Sequence, residues 1–230
     1  SKRLPGKPLV KINGIPMIHR VWQQAIASNL GDVYVACSEK VVYDLIQNLG
    51  GKAIITDPNL PSGTDRIHSA LSQISNLSEI EHIINLQGDM PLISPEAIKK
   101  VIEPLEHNYS IGTIATDLKE NELLNPNITK ILVDWKNDKV GTAKEFFRKK
   151  YNYENEVFHH VGIYSFTKSA LSTFVNLPQS KNESLLNLEQ YRAIDAGISV
   201  GVSFVKDIPL SVDTKEDLTT VENIIRADNE

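Results

Sequence analysis

The stretch from Asn85 to Asp89, Asn-Leu-Gln-Gly-Asp, combines an acidic side chain with the signs of a strand end. It follows the apolar pair Ile83-Ile84 and precedes Ser94-Pro95-Glu96, which predicts a helix start. An apolar run that stops at Gly-Asp is typical of the carboxyl end of a buried parallel strand. Ligands bind just outside such ends in open α/β sheets. We therefore expect Asp89 to project from the strand into a site, with a turn or cap role as the alternative.

A basic loop lies near the start of the chain. Among the first eleven residues, Lys2, Arg3, Lys7 and Lys11 are basic. The segment Pro5-Gly6-Lys7-Pro8 predicts a stiff, non-helical loop, because each proline restricts its own backbone and that of the residue before it. Such a loop can offer N–H groups and an ammonium to phosphate oxygens, although it lacks the Walker A spacing. A solvated basic terminus is the alternative.

Two further segments combine helix-start signals with groups that can bind ligands. In Ser62-Gly63-Thr64-Asp65-Arg66, Ser62 or Thr64 is predicted to cap a helix. The free N–H groups of that helix start would suit a nucleotide. Asp213 lies three residues before Glu216, the spacing of a capping box, so a structural role is its alternative.

The carboxyl-terminal half holds a second group of candidates. Residues 157–167 predict a strand in which His159 and His160 point to opposite sides, a poor chelating pair. A half-buried strand histidine is the alternative for His160. The helix predicted over residues 185–196 carries Glu189, Gln190 and Arg192, whose default interpretation is solvation at the surface.

The elements that position these residues alternate between strand and helix. Strand patterns cover residues 32–37, 53–55, 111–116, 129–134, 157–167 and 200–205, with amphipathic helices between the early ones and a turn predicted at Asn137-Asp138. This order predicts an α/β fold with a mainly parallel nucleotide-binding sheet and helices on both faces. We expect one domain over residues 1–230, with a smaller strand-rich lobe at 117–181.

Composition bounds the possible functions. A chain of 230 residues with 41% hydrophobic and 23% charged residues is typical of a soluble globular protein. The net charge of −5 argues against general binding to nucleic acid. The single cysteine, Cys37, excludes an internal disulfide and a cysteine-built zinc site, and it suits a reducing cytosol. Apolar runs stay below the ~18 residues that a membrane helix needs.

One chemistry would use the separated parts together. Two distant aspartates such as Asp89 and Asp213 can hold Mg²⁺, which prefers carboxylates combined with substrate phosphate oxygens. A basic, glycine-containing loop can hold a triphosphate. The residues therefore favour nucleotidyl transfer, in which the protein mainly positions groups and neutralises charge.

Several motifs resemble those of a known enzyme family. They are Arg3-Leu4-Pro5-Gly6-Lys7-Pro8-Leu9, Ser62-Gly63-Thr64-Asp65-Arg66, Asn85-Leu86-Gln87-Gly88-Asp89, Asn125-Pro126-Asn127, His160-Val161-Gly162-Ile163-Tyr164, Leu188-Glu189-Gln190-Tyr191-Arg192 and Val212-Asp213-Thr214. Together they resemble the 3-deoxy-manno-octulosonate (Kdo) cytidylyltransferases over nearly the whole chain. The first motif and the Gln-Gly-Asp strand end also resemble related sugar nucleotidyltransferases. The histidine and Leu-Glu-Gln segments resemble the Kdo enzymes more narrowly.

The resemblance implies a reaction and a role for each matched residue. The reaction is transfer of CMP from CTP to Kdo, giving CMP-Kdo and pyrophosphate for lipopolysaccharide synthesis, on a fold like that of nucleotide-diphospho-sugar transferases. The implied catalytic residues are Lys7, Asp89 and Asp213, the two aspartates being the Mg²⁺ ligands. The implied nucleotide-binding residues are Arg3, Gly6, Lys7, Ser62, Gly63, Arg66 and Gln87, and the implied sugar-binding residues are His160, Tyr164, Glu189, Gln190 and Arg148.

The resemblance also implies a cytoplasmic homodimer that pairs through the strand-rich lobe, with CTP and Kdo as its substrates.

The sequence departs from the family pattern in three places. The family carries an apolar strand before the position of Ser1, polar or acidic residues where Ser38 and Met90 stand, and a motif that residues 143–148 match loosely. A cytidylyltransferase for another acidic sugar, such as 8-amino-Kdo or a sialic acid, and a non-catalytic nucleotide-binding remnant are the alternatives.

Overall fold

The first part of the chain alternates strands and helices, as its sequence pattern predicts. The computed structural model describes residues 4–75, 77–136, 139–149, 156–206 and 210–227. The early elements are β1 (Lys11–Ile12), β2 (Ile15–Pro16), α1 (Met17–Ala27), β3 (Tyr34–Cys37), α2 (Lys40–Asn48), β4 (Lys52–Ile55), α3 (Gly63–Leu71) and β5 (His82–Asn85). The strands β1 and β2 form a short antiparallel hairpin, and β3 and β4 pair in parallel.

The second part contains longer strands and shorter helices. Its elements are α4 (Pro95–Lys100), α5 (Glu103–Glu106), β6 (Ile111–Asp117), β7 (Lys130–Trp135), β8 (Val140–Phe147), β9 (Val157–Thr167), α6 (Lys168–Asn176), α7 (Lys181–Leu186), α8 (Tyr191–Asp195), β10 (Val200–Phe204) and α9 (Lys215–Ala227). Short 3₁₀ turns cover Lys7–Leu9, Leu77–Glu79 and Glu120–Glu122. The turn predicted at Asn137-Asp138 lies outside the described residues.

Side-chain caps define several helix starts. The hydroxyl oxygen of Ser62 accepts a hydrogen bond from the Asp65 N–H at the start of α3, which confirms Ser62 as a cap. The oxygen of Ser94 does the same for α4. Each such bond satisfies an N–H group that has no partner within its helix and contributes about 1 kcal/mol.

Six strands form one mixed sheet in the order β5-β9-β6-β10-β8-β7. Only the β6–β10 pair within it is parallel; its other pairs are antiparallel. The prediction of a mainly parallel sheet is therefore wrong. Strand β9 also pairs with β7, so five strands close into a ring. The closing strand has eleven residues, long enough to pair with β5 at one end and β7 at the other.

The region expected to form a smaller lobe supplies three strands of this same sheet. Residues 117–181 include β7, β8 and β9, and β9 pairs with both β5 and β6 outside that range. Phe146 and Phe158 in the region belong to one apolar core with Ile83 and Ile111 from the flanking strands. A role of the region in a dimer contact stays a prediction.

A slot separates the β3–β4 pair from the larger sheet. Its volume is about 830 Å³, and α1 lines it with Ile18 and Trp22 while α3 lines it with Ile67 and Ala70. In the described part of the chain, β3 pairs only with β4 and β5 only with β9. Both strands line the slot. The slot thus offers room for an additional strand, and the strand expected before Ser1 stays a prediction.

The helix predicted over residues 185–196 is wrong in its bounds, because two short helices cover this region. Helix α7 starts at a capping box of Ser180 and Glu183 and ends at Asn187, whose φ of 52° is left-handed. Asparagine tolerates that conformation better than most residues. Glu189 and Gln190 therefore lie in the turn between α7 and α8. None of the helices that the structure describes is long and apolar enough to span a membrane.

His160 packs inside the closed strand region. Its side chain is buried, and its ring meets the ring of Phe146 edge-on at 4.9 Å. The Thr113 hydroxyl donates to the carbonyl oxygen of Ile163 at 2.8 Å, so Thr113 Oγ1 accepts from His160 Nε2 at 3.0 Å. Nδ1 is then the acceptor nitrogen of the neutral ring. Burial, with smaller effects of His159 and Arg148, lowers the pKa of His160 to about 3.

This burial predicts a pH dependence of stability. The unfolded chain binds a proton at His160 below about pH 6.5, whereas the folded chain does so only near pH 3. Stability should therefore fall as pH drops from 6.5 towards 3, by at most about 1.4 kcal/mol per unit from this group. His160→Gln should remove that contribution. Urea unfolding of the parent protein and the variant at about pH 7, 5.5 and 4.5 measures this contribution. If the unfolding free energy changes equally with pH in both proteins, the assignment of the pH dependence to His160 is wrong.

Candidate active site

The strongest cluster of charges joins the beginning, middle and end of the chain. The Lys7 ammonium lies 2.7 Å from Asp89 Oδ2 and 2.8 Å from Asp213 Oδ1. The lysine side chain is 12% exposed, and the two aspartate side chains are 29% and 38% exposed. The structure thus brings together the three residues that the sequence assigned to catalysis, and both carboxylates remain accessible to solvent.

The loop around Gly6 places the lysine. Gly6 has a φ of +63°, a left-handed conformation that glycine adopts without strain, and it precedes the 3₁₀ turn Lys7–Leu9. The Leu9 N–H donates to the Gly6 carbonyl oxygen at 2.9 Å, which tightens the turn. Pro8 follows Lys7 and fixes the backbone. The predicted non-helical loop is therefore wrong at Lys7 and Pro8, which lie in the 3₁₀ turn, while Arg3 lies outside the described residues.

A backbone bond holds the two aspartate segments side by side. The Val212 N–H donates to the Asp89 carbonyl oxygen at 2.9 Å. Val212 is buried in an apolar cluster with Leu4, Ile12, Met17 and Val221. Strand β5 ends at Asn85, so Asp89 lies four residues beyond the strand rather than on it. Its position depends on packing against the chain's two ends.

The capping role considered as the alternative for Asp213 is wrong by one residue. Thr214 and Asp217 form the reciprocal pair, in which Asp217 N–H donates to Thr214 Oγ1 at 3.2 Å and Thr214 N–H donates to Asp217 Oδ2 at 2.8 Å. The Asp213 N–H also donates to Asp217 Oδ2 at 2.9 Å. The Asp213 carboxylate meets Lys7 instead, so the cap orients the segment while the carboxylate faces the cluster.

The cluster keeps the lysine charged. Burial alone would lower the pKa of Lys7, but the charge of Asp89 and hydrogen bonds to Asp213 and Asp89 outweigh it, and the pKa of Lys7 is raised. The positively charged Lys7 ammonium therefore occupies the space between the two carboxylates. The carboxylates fit a metal ion in this respect, since their oxygens already converge on one positive charge. In the described residues, no group of three or more His, Cys, Asp or Glu side chains converges for a metal.

Three of the predicted nucleotide residues, Gly63, Arg66 and Gln87, line the 830 Å³ slot. Gly63 approaches Gln87 so closely that a Cβ at residue 63 would lie 3.0 Å from Gln87 Nε2. A side chain at residue 63 would therefore require the Gln87 amide to shift by a few tenths of an ångström. Arg66 donates to Thr56 Oγ1 at 2.6 Å and thereby ties α3 to the segment after β4.

The predicted sugar residues converge from β9 and the α7–α8 turn. The rings of His160 and Tyr164 lie 5.6 Å apart, so the two residues share a face of the strand. Tyr164, Glu189 and Gln190 line one cavity of about 10 Å³, at or below the space that one water needs. Burial and the charge of Glu189 raise the pKa of Tyr164 well above its ordinary value. A sugar would have to contact these residues from their open side.

Arg148 lies near this group but is already engaged. Its guanidinium donates to the carbonyl oxygen of Asn127 at 3.2 Å, and the carbonyl oxygen of Pro126 lies 3.5 Å away. The charge of Arg148 contributes to the lowered pKa of His160. The structure thus connects Arg148 electrostatically to His160 and mechanically to the loop at 125–127. Its sugar-binding role stays a prediction.

A buried ion pair was missed by sequence reasoning. Arg192 donates to Glu183 through Nη2 at 2.6 Å and through Nε at 3.0 Å, and it lies over the ring of Phe174. Its Nη1 is 3.7 Å from Asp65 Oδ2. The surface interpretation is wrong for Arg192 and for Gln190, which are 6% and 7% exposed. The only signal was the position of both in the Leu-Glu-Gln-Tyr-Arg segment.

Of the two residues that depart from the pattern, one is part of the core and one lines the slot. Met90 is buried in a cluster with Ile93 and Ile163, so its side chain is not presented to a substrate. Ser38 lies at the carboxyl end of β3 and lines the slot. The departure at Met90 therefore gives no reason to favour a different sugar.

Comparisons with known proteins agree with this geometry. Residues 1–208 match the cytidylyltransferase family. A 3-deoxy-manno-octulosonate cytidylyltransferase of Paramagnetospirillum magneticum is 39% identical over 231 residues, covering 99% of this chain and 94% of the relative. One of Rickettsia bellii is 39% identical over 220 residues, covering 95% and 89%.

Solved structures show the same fold. The structure of CMP:2-keto-3-deoxy-manno-octonic acid synthetase complexed with CTP superposes with a TM-score of 0.89 at 31% identity, covering 99% of this chain and 95% of the other. UDP-glucose pyrophosphorylase complexed with UDP-glucose gives 0.72 at 14% identity, covering 99% and 92%, and supports the fold alone. This chain belongs to the cytidylyltransferase family and, within it, to the 3-deoxy-manno-octulosonate cytidylyltransferases.

Proposed function

We propose that this chain transfers CMP from CTP to the anomeric hydroxyl of Kdo, giving CMP-Kdo and pyrophosphate. The observation that carries the proposal is the convergence of Asp89 and Asp213 on the Lys7 ammonium, beside the loop turned by Gly6. It places two hard anionic ligands and one fixed cation where a metal-bound triphosphate can be held. The CTP in the related structure and the names of the relatives support the choice of substrates.

The residues present fit Mg²⁺. Asp89 and Asp213 would hold it, with the remaining ligands supplied by water and phosphate oxygens, as this ion prefers. The ion would polarise the α-phosphate and shield the charge of the departing pyrophosphate. The convergence of both carboxylates on one cation within 2.8 Å supports this assignment without a third protein ligand.

The chain's own groups would position the reactants. Lys7 keeps its charge at neutral pH because its pKa is raised, and it would pair with the outer phosphates of CTP. Gln87 and Gly63 in the slot would meet the cytidine. Tyr164 and Glu189 would orient the sugar acid so that its anomeric oxygen lies in line with the bond to the leaving pyrophosphate.

The setting proposed for the enzyme is the one that the family resemblance implies. It would act in the cytoplasm in lipopolysaccharide synthesis, as a homodimer paired through residues 117–181. Light scattering of the purified protein tests the homodimer directly.

The two aspartates should be essential for turnover and dispensable for folding. Asp89→Asn and Asp213→Asn each remove a negative charge at the proposed metal, so each should lower turnover at least about 100-fold. Pyrophosphate release with Kdo and CTP across a Mg²⁺ titration measures this. Asp44→Asn, which removes an exposed partner of Lys40, is the matched control. Near-normal turnover of either variant at limiting Mg²⁺ would exclude that residue from the role.

Stability separates this role from a capping role. The cap at the start of α9 belongs to Thr214 and Asp217, so Asp213→Asn should leave the unfolding free energy nearly unchanged. Asp217→Ala should cost about 1 kcal/mol because it removes the cap acceptor. Urea unfolding of both variants gives the comparison, and a larger loss in Asp213→Asn would show that its carboxylate is needed for folding.

The lysine should discriminate between nucleotides by their phosphates. Lys7→Ala should weaken CTP binding about 10-fold to 100-fold, the effect of one charge-assisted hydrogen bond, while CMP affinity changes little. Calorimetry with each nucleotide measures the difference. Lys40→Ala, which removes an exposed lysine paired with Asp44, is the control and should change neither affinity. Equal weakening of CTP and CMP would contradict the assignment to the outer phosphates.

A further inference from the structure

A chain of four polar side chains runs under the site from the slot to the α7–α8 turn. Gln87 Nε2 donates to Asn85 Oδ1 at 3.1 Å, and Asn85 Nδ2 donates to Thr64 Oγ1 at 3.0 Å. The Thr64 hydroxyl in turn donates to Glu189 Oε1. Thr64 and Asn85 are 0% and 2% exposed. These two residues have no place in the roles described above.

The chemistry of these four side chains fixes which atom donates and which accepts in each hydrogen bond between them. The Glu189 carboxylate can only accept, so the single hydroxyl hydrogen of Thr64 is committed to it. Thr64 Oγ1 must then accept from Asn85, which turns the Asn85 amide nitrogen towards Thr64 and its oxygen towards Gln87. Gln87 can meet that oxygen only with its own amide nitrogen. The carboxylate therefore determines the orientation of an amide three hydrogen bonds away.

The orientation matters because it decides what Gln87 offers to a ligand. With Nε2 bound to Asn85, the oxygen Oε1 accepts no hydrogen bond from the described part of the chain. Gly63 leaves the amide exposed in the slot, where a Cβ would crowd it. A fixed acceptor at that point suits a ligand hydroxyl or amino group. A rotated amide would present N–H groups instead and reject the same ligand group.

We propose that Asn85 and Thr64 are positioning residues that set the Gln87 amide at one end of the chain and the Glu189 carboxylate at the other. The inference rests on the proposed function, since Gln87 is assigned to the nucleotide side and Glu189 to the sugar-acid side. The nucleotide side and the sugar-acid side then share one hydrogen-bond network. Neither Gln87 nor Glu189 can reorient without leaving a buried polar group of Asn85 or Thr64 unsatisfied.

Two variants at one position separate this role from packing. Thr64→Val keeps the shape of the side chain and removes the hydroxyl, whereas Thr64→Ser keeps the hydroxyl and removes a methyl group. Thr64→Val should raise the KM for both Kdo and CTP about 10-fold with a smaller change in kcat. Thr64→Ser should stay within about 3-fold of the parent. Equal losses in the two variants would overturn the proposal.

The amide of Gln87 gives a readout that does not depend on activity. In protein labelled with ¹⁵N, Gln87→Glu identifies the side-chain signals of Gln87 by their loss. Those signals should move, and their hydrogens should exchange faster with solvent, in Thr64→Val but not in Thr64→Ser. Glu189→Ala, which removes the acceptor of the Thr64 hydroxyl, should move them too if Thr64→Val folds poorly. Unchanged Gln87 signals in a folded Thr64→Val or Glu189→Ala would overturn the positioning role.

The two proposals fail in different ways. If the parent protein releases no pyrophosphate with Kdo and CTP, the proposed function is wrong, and the Gln87 signals still decide whether the network orients the amide. If the parent is active and the Gln87 signals do not change when residue 64 or 189 is substituted, the proposed function stands. The network then does not position the Gln87 amide and the Glu189 carboxylate.

Discussion

The contact of the Lys7 ammonium with Asp89 and Asp213 is the constraint on which the candidate site depends. Two carboxylates that face one point repel each other unless a cation lies between them. Asp89 and Asp213 lie 82 and 206 positions from Lys7 in the chain, so local structure cannot bring the three groups together. The left-handed Gly6, the Val212–Asp89 backbone bond and the buried cluster beneath them act on this one point.

The closed strand region supplies the rigid support for the other half of the site. Strand β9 carries Tyr164 opposite Asn85 of β5 and opposite Thr113 of β6, so one row of the sheet connects the proposed sugar side to the proposed nucleotide side. Pairing on both edges prevents β9 from shifting its register, since a shift by one residue would turn every side chain to the other face. Positions set in this way suit groups that must bind two substrates in a fixed relation.

Sequence reasoning succeeded where the deciding interaction is local. The Ser62 cap, the bounds of β9 and the alternation of early strands and helices each depend on residues within a few positions of one another. It failed where distant parts decide. The pairing of β9 with β7 closes the sheet, and no local pattern encodes which edges meet. The carboxylate of Asp213 faces Lys7, while Thr214 forms the cap one residue later; the spacing alone could not distinguish them.

Some residues of the candidate site were likewise predicted from the sequence and others were not, and charge explains the difference. Lys7, Asp89 and Asp213 were found because each carries a charge in a turn-forming context, but Thr64 and Asn85 look like ordinary cap and strand residues until their burial is known. Counting charges shows what the cluster favours. One ammonium and two carboxylates sum to −1, and a divalent cation at the carboxylates would change this to +1. The site would then attract a triphosphate, and its outer oxygens would pair with the Lys7 ammonium.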